Sequence, residues 1–134
     1  MGSELEEGTS EVLDFSKVAE IGRLGLSVLP VVLQDIDSRE VLFVGYANET
    51  ALTETLKTKR AVLWSTSRNE IWRKGETSGD VLGVDEVRVN CEQNSILYLC
   101  RLTSGACHTK DASGQSRRSC YYRVLETPGS LTLI

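Results

Sequence analysis

Two apolar runs, Leu26 to Gln34 (LSVLPVVLQ) and Val41 to Tyr46 (VLFVGY), constrain this chain more than any other feature of its sequence. Short continuous apolar runs bounded by polar residues read as buried strands. The polar stretch Asp35-Ile36-Asp37-Ser38-Arg39-Glu40 between them reads as a hairpin turn. Asn48 follows as the cap of a short helix through about Lys59, which places Ala51, Leu52 and Leu56 on one face, against the sheet. Ala61 to Trp64 reads as a strand, Ser65 to Arg68 as a polar run too short for a helix, and Trp72 to Gly79 as a loop. Val81 to Val89 and Ser95 to Leu102 are two further strands, with Glu92-Gln93-Asn94 between them or bulging out of them. Thr109 to Ser116 is a surface loop, and Ser119 to Leu125 returns to strand character. The expected class is α+β, a compact strand-rich single domain with one or two short helices.

Size and charge narrow the function. At 134 residues the chain fits one domain, and 40% hydrophobic with 25% charged residues is ordinary for a soluble protein. No apolar run approaches the ~20 residues of a membrane-spanning helix. The start, MGSELEEGTSEVLDFSK, is acidic and has no apolar core, so neither a signal nor a transit peptide is expected and the expected location is cytoplasmic. Residues 1–14 carry five acidic groups and no Lys or Arg; they read as an acidic disordered tail before a domain at 15–134. Removing them from the net charge of -4 leaves fifteen basic against fourteen acidic residues. Basic residues then concentrate in Lys57 to Lys74 and Lys110 to Arg123. Two such clusters suit a small anionic ligand; neither nucleic acid nor membrane is an expected partner.

Reactive side chains are few. Cys91, Cys100, Cys107 and Cys120 favour metal binding or catalysis over disulfides if the compartment is reducing. No CxxC pair is present, so spacing alone points only weakly to zinc, and burial as small hydrophobes is the competing reading. Cys100 fits burial, since it closes the run Ile96-Leu97-Tyr98-Leu99-Cys100. Within fifteen residues, Ser65-Thr66-Ser67-Arg68 and Trp72-Arg73-Lys74-Gly75-Glu76-Thr77-Ser78-Gly79 gather three cations, five hydroxyls and two glycines. Glycine admits backbone N–H groups to an anion, hydroxyls donate and arginine forks onto phosphate, so these read as a pair of phosphate-binding loops. They lack the GxxxxGK[ST] spacing of a P-loop. His108, the only histidine, stands beside Cys107 and is the natural acid–base group near neutral pH.

WSTSR, WRKGETSGD, the Cys91 strand, GACHT and RRSCYYR, in that order, resemble the phosphoribosyl-AMP cyclohydrolase family of histidine biosynthesis. LDFSK and the stretch from Leu29 through Leu52 resemble its N-terminal half, so the likeness spans about residues 13–124. The resemblance implies hydrolysis of the N1–C6 bond of the adenine ring in phosphoribosyl-AMP. It implies an intertwined homodimer with zinc held by Cys91, Cys107 and Cys120 across the interface, and a fourth position open to water. His108 is implied as the base. Ser65, Ser67, Arg68, Arg73, Lys74, Thr77 and Ser78 are implied as phosphate ligands, and Glu76 as a ligand of ribose hydroxyls or a metal.

Two departures stand out. The family's Asp-Cys-Asp-x-Asp, associated with magnesium, is here Asn90-Cys91-Glu92-Gln93-Asn94. In a strand, Asn90, Glu92 and Asn94 would share a face opposite Cys91. One carboxylate in place of three makes this a degenerate site with much weaker expected magnesium binding. The second departure is Lys110 to Ser116, about six residues longer than the family's usual connection and placed where it could alter substrate access. Two other functions fit the same motifs: a cyclohydrolase-like enzyme or deaminase for a related purine nucleotide, and a non-catalytic nucleotide-binding paralogue.

Overall fold

A computed structural model describes residues 3–134. The apolar runs form β1 (Leu29–Asp35) and β2 (Val41–Ala47), paired antiparallel with Val32 opposite Val44. A later strand, β6 (Ile96–Leu102), joins the other side of β1 in parallel, and β5 (Leu82–Val89) pairs antiparallel with β6. The order β2-β1-β6-β5 puts β1 and β6 at the centre of the sheet. Val31 and Leu33 of β1 and Tyr98 and Cys100 of β6 are fully buried. Along β1 the buried residues alternate with half-buried ones, so one face of the sheet carries the core although the apolar run itself does not alternate.

The chain leaves β2 into α3 (Glu49–Thr58), whose first turn is capped by the Asn48 side chain accepting the Ala51 N–H at 2.9 Å. Lys59, in the left-handed region at φ 61°, ends the helix. Its buried face is turned from the one expected: Ala51 and Thr55 are buried, whereas Leu56 is exposed. Thr55 explains the turn, because its hydroxyl accepts the Val62 N–H at 3.0 Å and lies 3.1 Å from the Val62 carbonyl. Satisfying that strand's backbone outweighs burying one leucine.

Val62 begins β3 (Val62–Ser65), which pairs antiparallel with β4 (Glu70–Arg73). The stretch expected as a loop from Trp72 therefore starts two residues later, since Trp72 pairs with Leu63 and Arg73 with Val62. The Trp72 ring, 6.0 Å from that of Phe43, leans this hairpin on β2. Strand structure at the C-terminal end is also shifted: β7 (Arg123–Thr127) pairs with β8 (Ser130–Leu133), while residues 119–122 are irregular, with Ser119 and Cys120 attached to β2.

There are three helices among the described residues, against the one or two expected. The others, α1 (Glu4–Glu7) and α2 (Lys17–Arg23), bury no residue and only Ile21, respectively, so no apolar stripe announces them. The segment expected as a disordered tail lies against the C-terminal hairpin, where the Leu131 N–H donates to the Thr9 carbonyl at 2.7 Å and Ser10 pairs with Ser130. None of the described helices is long and apolar enough to cross a membrane.

Asp35, 4% exposed at the end of β1, ties the first hairpin together. Its carboxylate accepts from the Ser38 hydroxyl at 2.7 Å and the Ser38 N–H at 2.9 Å, and these bonds hold its pKa below the usual range against the opposing effect of burial. A carboxyl with a lowered folded-state pKa contributes stability that is present above its unfolded pKa and lost as pH falls through the folded value. Asp35→Asn is expected to lower stability at neutral pH and to flatten its fall below about pH 4. Urea titrations of both proteins between neutral and acid pH check this; parallel pH profiles would contradict it.

Candidate active site

Two irregular segments, residues 105–109 and 116–120, lie side by side. The Ala106 N–H donates to the Arg118 carbonyl at 3.1 Å, the Cys107 N–H to Arg117 at 3.0 Å, and the Arg117 N–H returns to Thr109 at 3.1 Å. Gly105 is required for this approach, because a Cβ there would stand 2.3 Å from the Ser116 carbonyl oxygen. The second segment is fastened to β2 by the Cys120 N–H on the Leu42 carbonyl at 2.8 Å and the Ser119 hydroxyl on Val41 at 2.7 Å. Thus Cys107 and Cys120, thirteen positions apart, become neighbours.

The two sulfurs are free, and the ionisation of one opposes that of the other. Hydrogen bonding from Cys120 brings the Cys107 thiol down to about 5, aided by the Thr109 hydroxyl 3.0 Å away and opposed by burial. The Cys120 thiol goes up, because it donates to Cys107 and is partly buried. A thiolate on Cys107 at neutral pH is both a nucleophile and a soft metal ligand. Cys100, by contrast, is fully buried in β6 and its thiol is pushed up to about 12 by that burial.

Lys110 to Ser116 leaves this geometry intact. The Asp111 N–H donates to the Gln115 carbonyl at 2.8 Å, and the Asp111 carboxylate accepts from the N–H groups of Ser113 and Gln115 at 2.9 and 3.0 Å. The extra residues close into their own hairpin above the Thr109–Arg117 hydrogen bond.

Next to the cysteine pair lies a cleft of 720 Å³ walled by the β3–β4 hairpin. It receives Ser65 from the end of β3, Ser67 and Arg68 from the turn between the strands, Arg73 from the end of β4, and Lys74, Glu76, Thr77 and Ser78 from beyond it. His108 and Cys120 complete the opposite side. All the residues expected to bind phosphate, and the expected base, therefore share one cavity. Their side chains are differently engaged. Arg68 is mostly exposed, with only a 3.8 Å contact to Glu70. Arg73 is gripped by Glu54 of α3 through Nε and Nη2, at 2.5 and 2.9 Å. Lys74 is buried, its Nζ donates to the Asp80 carbonyl at 2.9 Å, and burial lowers its pKa against the charges of Asp80, Cys120 and Cys107.

Sequence reasoning overlooked Glu54 and Asp80, which organise these groups. The Asp80 carboxylate accepts from the hydroxyls of Ser104 and Ser116, the latter at 3.0 Å, joining the glycine loop to the cysteine segments. Those bonds, Ser104 foremost, keep its pKa below the usual range. Nothing about an isolated Glu54 signals its partner nineteen positions on. His108 is largely exposed at the cleft, with Nε2 against the Glu6 carboxylate.

Cys91 stands elsewhere. Residues 90–94 lie between the two strands, one of the two placements expected for Glu92-Gln93-Asn94, and form a turn and not a strand, because the Asn90 side-chain oxygen accepts the N–H groups of Asn94 and Ser95, both at 2.9 Å, and Gln93 takes φ 56°. Asn90 Nδ2 also donates to Asn94 Oδ1 at 2.7 Å, so the alternation of Asn90, Glu92 and Asn94 against Cys91 does not exist. Cys91 is exposed, and the described residues contain no group of three or more Cys, His, Asp or Glu positioned for a metal.

A strand-rich α+β fold presenting a cysteine, a histidine and a hydroxyl-rich cationic loop to one cleft defines a hydrolase-type site for an anionic substrate. Residues 43–122 match the phosphoribosyl-AMP cyclohydrolase family, and the chain belongs to it. The Archaeoglobus fulgidus phosphoribosyl-AMP cyclohydrolase is 46% identical over 99 residues, covering 74% of this chain and 86% of that protein. The Halobacterium salinarum enzyme of the same name is 44% identical over 76% of this chain and 74% of its own length. That of Methanosarcina barkeri is 43% identical over 87% of this chain and 83% of its own. The family comprises hydrolases of C–N bonds in cyclic amidines.

The glycine loop offers a paired test. Gly75 sits at φ 84° with Val81 N 2.2 Å from where a Cβ would be, whereas Gly79 sits at φ 85° in open space. Gly79→Ala is expected to cost about 1 kcal/mol from backbone strain alone, and Gly75→Ala more, as the loop must also move. Thermal denaturation of the two variants checks the ranking; equal losses would contradict it.

Proposed function

We propose that this chain is a phosphoribosyl-AMP cyclohydrolase of histidine biosynthesis, opening the six-membered adenine ring by adding water across the N1–C6 bond. The observation that carries this reading is the convergence of Cys120, His108 and the Lys74–Ser78 loop on one cleft, with Cys107 directly behind Cys120.

The donor chemistry fits zinc. Cys107 and Cys120 are neighbours, both are free, the pKa of the Cys107 thiol is lowered, and sulfur ligands select zinc over the harder cations. One chain brings together two of the three thiols. In this reading the third is Cys91 of a second subunit, offered from its exposed turn, and the enzyme is a homodimer with zinc ligands shared across the interface. Zinc held there supplies Lewis acidity for activating water, and three thiolates moderate it. The turn at Asn90, Glu92 and Asn94 does not fit magnesium. It offers one carboxylate, and both amide oxygens are already bonded within the turn.

The chain's own groups do the rest. Arg68, with the hydroxyls of Ser65, Ser67, Thr77 and Ser78, binds substrate phosphate at the hairpin end of the cleft. Arg73, steadied by Glu54, adds charge, and Glu76 faces the ribose hydroxyls. Lys74 holds the loop backbone and offsets the negative charge of the cysteines. His108 accepts a proton from the attacking water and returns it to N1 as the C6–N1 bond breaks.

The test is a substrate and metal comparison. The enzyme is expected to convert phosphoribosyl-AMP but not AMP, to carry about one zinc per chain, and to lose both zinc and turnover in Cys107→Ser. His108→Ala is expected to keep the metal and lose ~10²- to 10⁴-fold in kcat. Undiminished turnover by metal-stripped protein, or equal turnover of AMP, would overturn the proposal.

A further inference from the structure

Beyond the cleft's edge, Arg117 is occupied by the chain itself. Its side chain is 12% exposed, and Nη1 and Nη2 each hold one oxygen of the Glu7 carboxylate, at 2.7 and 2.8 Å. Nη1 also donates to the Thr109 hydroxyl at 3.1 Å, and the guanidinium lies 4.1 Å over the Tyr122 ring. A half-buried fork braced on an aromatic face and gripping two oxygens of one acid is also the arrangement that binds phosphate. Next to it, the Glu6 carboxylate covers Nε2 of His108.

The segment carrying these carboxylates is held by polar contacts alone. The Tyr122 hydroxyl donates to the Glu6 carbonyl at 2.7 Å, and Arg123 donates to the carbonyls of Leu5 and Gly8 at 3.0 and 2.9 Å. No residue of α1 is buried, and a four-residue helix has no stability of its own. Thr9 to Glu11, paired with the C-terminal hairpin, would keep a released segment nearby and at high local concentration. The carboxylates therefore behave as a tethered ligand of the groups that flank the cysteine pair.

We propose that Arg117, Thr109 and His108 form an anion subsite of this chain, for which Glu6 and Glu7 compete with a phosphate group of the bound nucleotide. This rests on the reading of the adjoining cleft as a nucleotide site. Its consequence is self-restraint: ligand binding must first displace the acidic segment, so apparent affinity is reduced by the fraction of chains in which the segment is seated.

The probe is inorganic phosphate, titrated into the full chain at fixed pH and ionic strength while the backbone amide signals of Leu5 to Gly8 are followed. Phosphate is expected to move these signals to their unstructured positions. The double variant Glu6→Gln, Glu7→Gln is expected to bind phosphate about fivefold more tightly, and Glu11→Gln, on the same segment but bonded to Gly129, to bind as the natural chain does. Arg117→Lys, which cannot make the two-oxygen fork, is expected to show released segment signals without phosphate. Segment signals unmoved at saturating phosphate, or equal tightening in Glu11→Gln and the double variant, would overturn the proposal. Because no turnover is read, failure to open phosphoribosyl-AMP would refute the functional reading and leave this one standing.

Discussion

The backbone pairing of residues 105–109 with 116–120 is the constraint on which the site depends. Three hydrogen bonds and the bare backbone of Gly105 bring Cys107 opposite Cys120, and two more bonds fix that pair to the edge of β2. The edge strand is itself rigid, since β2 is backed by β1 and β6 and by the Phe43–Trp72 contact. Reactive groups on irregular backbone thus inherit the precision of a buried sheet. The extra hairpin at Lys110 to Ser116 is tolerated for the same reason. It hangs from the closed end of the pairing and satisfies its own polar groups through Asp111.

Charge is placed with equal economy. Negative sulfur on one side of the cleft is faced by Lys74, whose burial disfavours its charge while the cysteines and Asp80 favour it. The more accessible cation, Arg68, is free of a close partner among the described residues, and Arg73 is partly neutralised by Glu54. Asp80 couples the two halves, since it anchors both Lys74 and the hydroxyls of Ser104 and Ser116.

Much of this was legible in residue order. The unbroken apolar runs announced the first two strands, Asn48 announced its helix, and the cluster of hydroxyls and cations around Gly75 announced the cleft that they line. What escaped reading was decided by partners distant in sequence. Leu56 lost its place in the core because Thr55 satisfies Val62, and Trp72 joined a strand because Leu63 lay opposite. Residues 90–94 have the composition of either a strand or a turn, and the Asn90 side chain settles it by taking two backbone N–H groups. The acidic residues near the start carry no periodic signal, and their contacts with His108 and Arg117 lie more than a hundred positions away.

The central claim is that the cysteine pair and the glycine loop serve one ligand. A crystal structure of the His108→Ala protein with phosphoribosyl-AMP tests it most directly. The account predicts a phosphate against Arg68 and the Thr77–Ser78 hydroxyls, with C6 of the purine turned to Cys107 and Cys120. A nucleotide bound away from the cleft, or one whose purine points away from the cysteines while its phosphate sits on the loop, would contradict it.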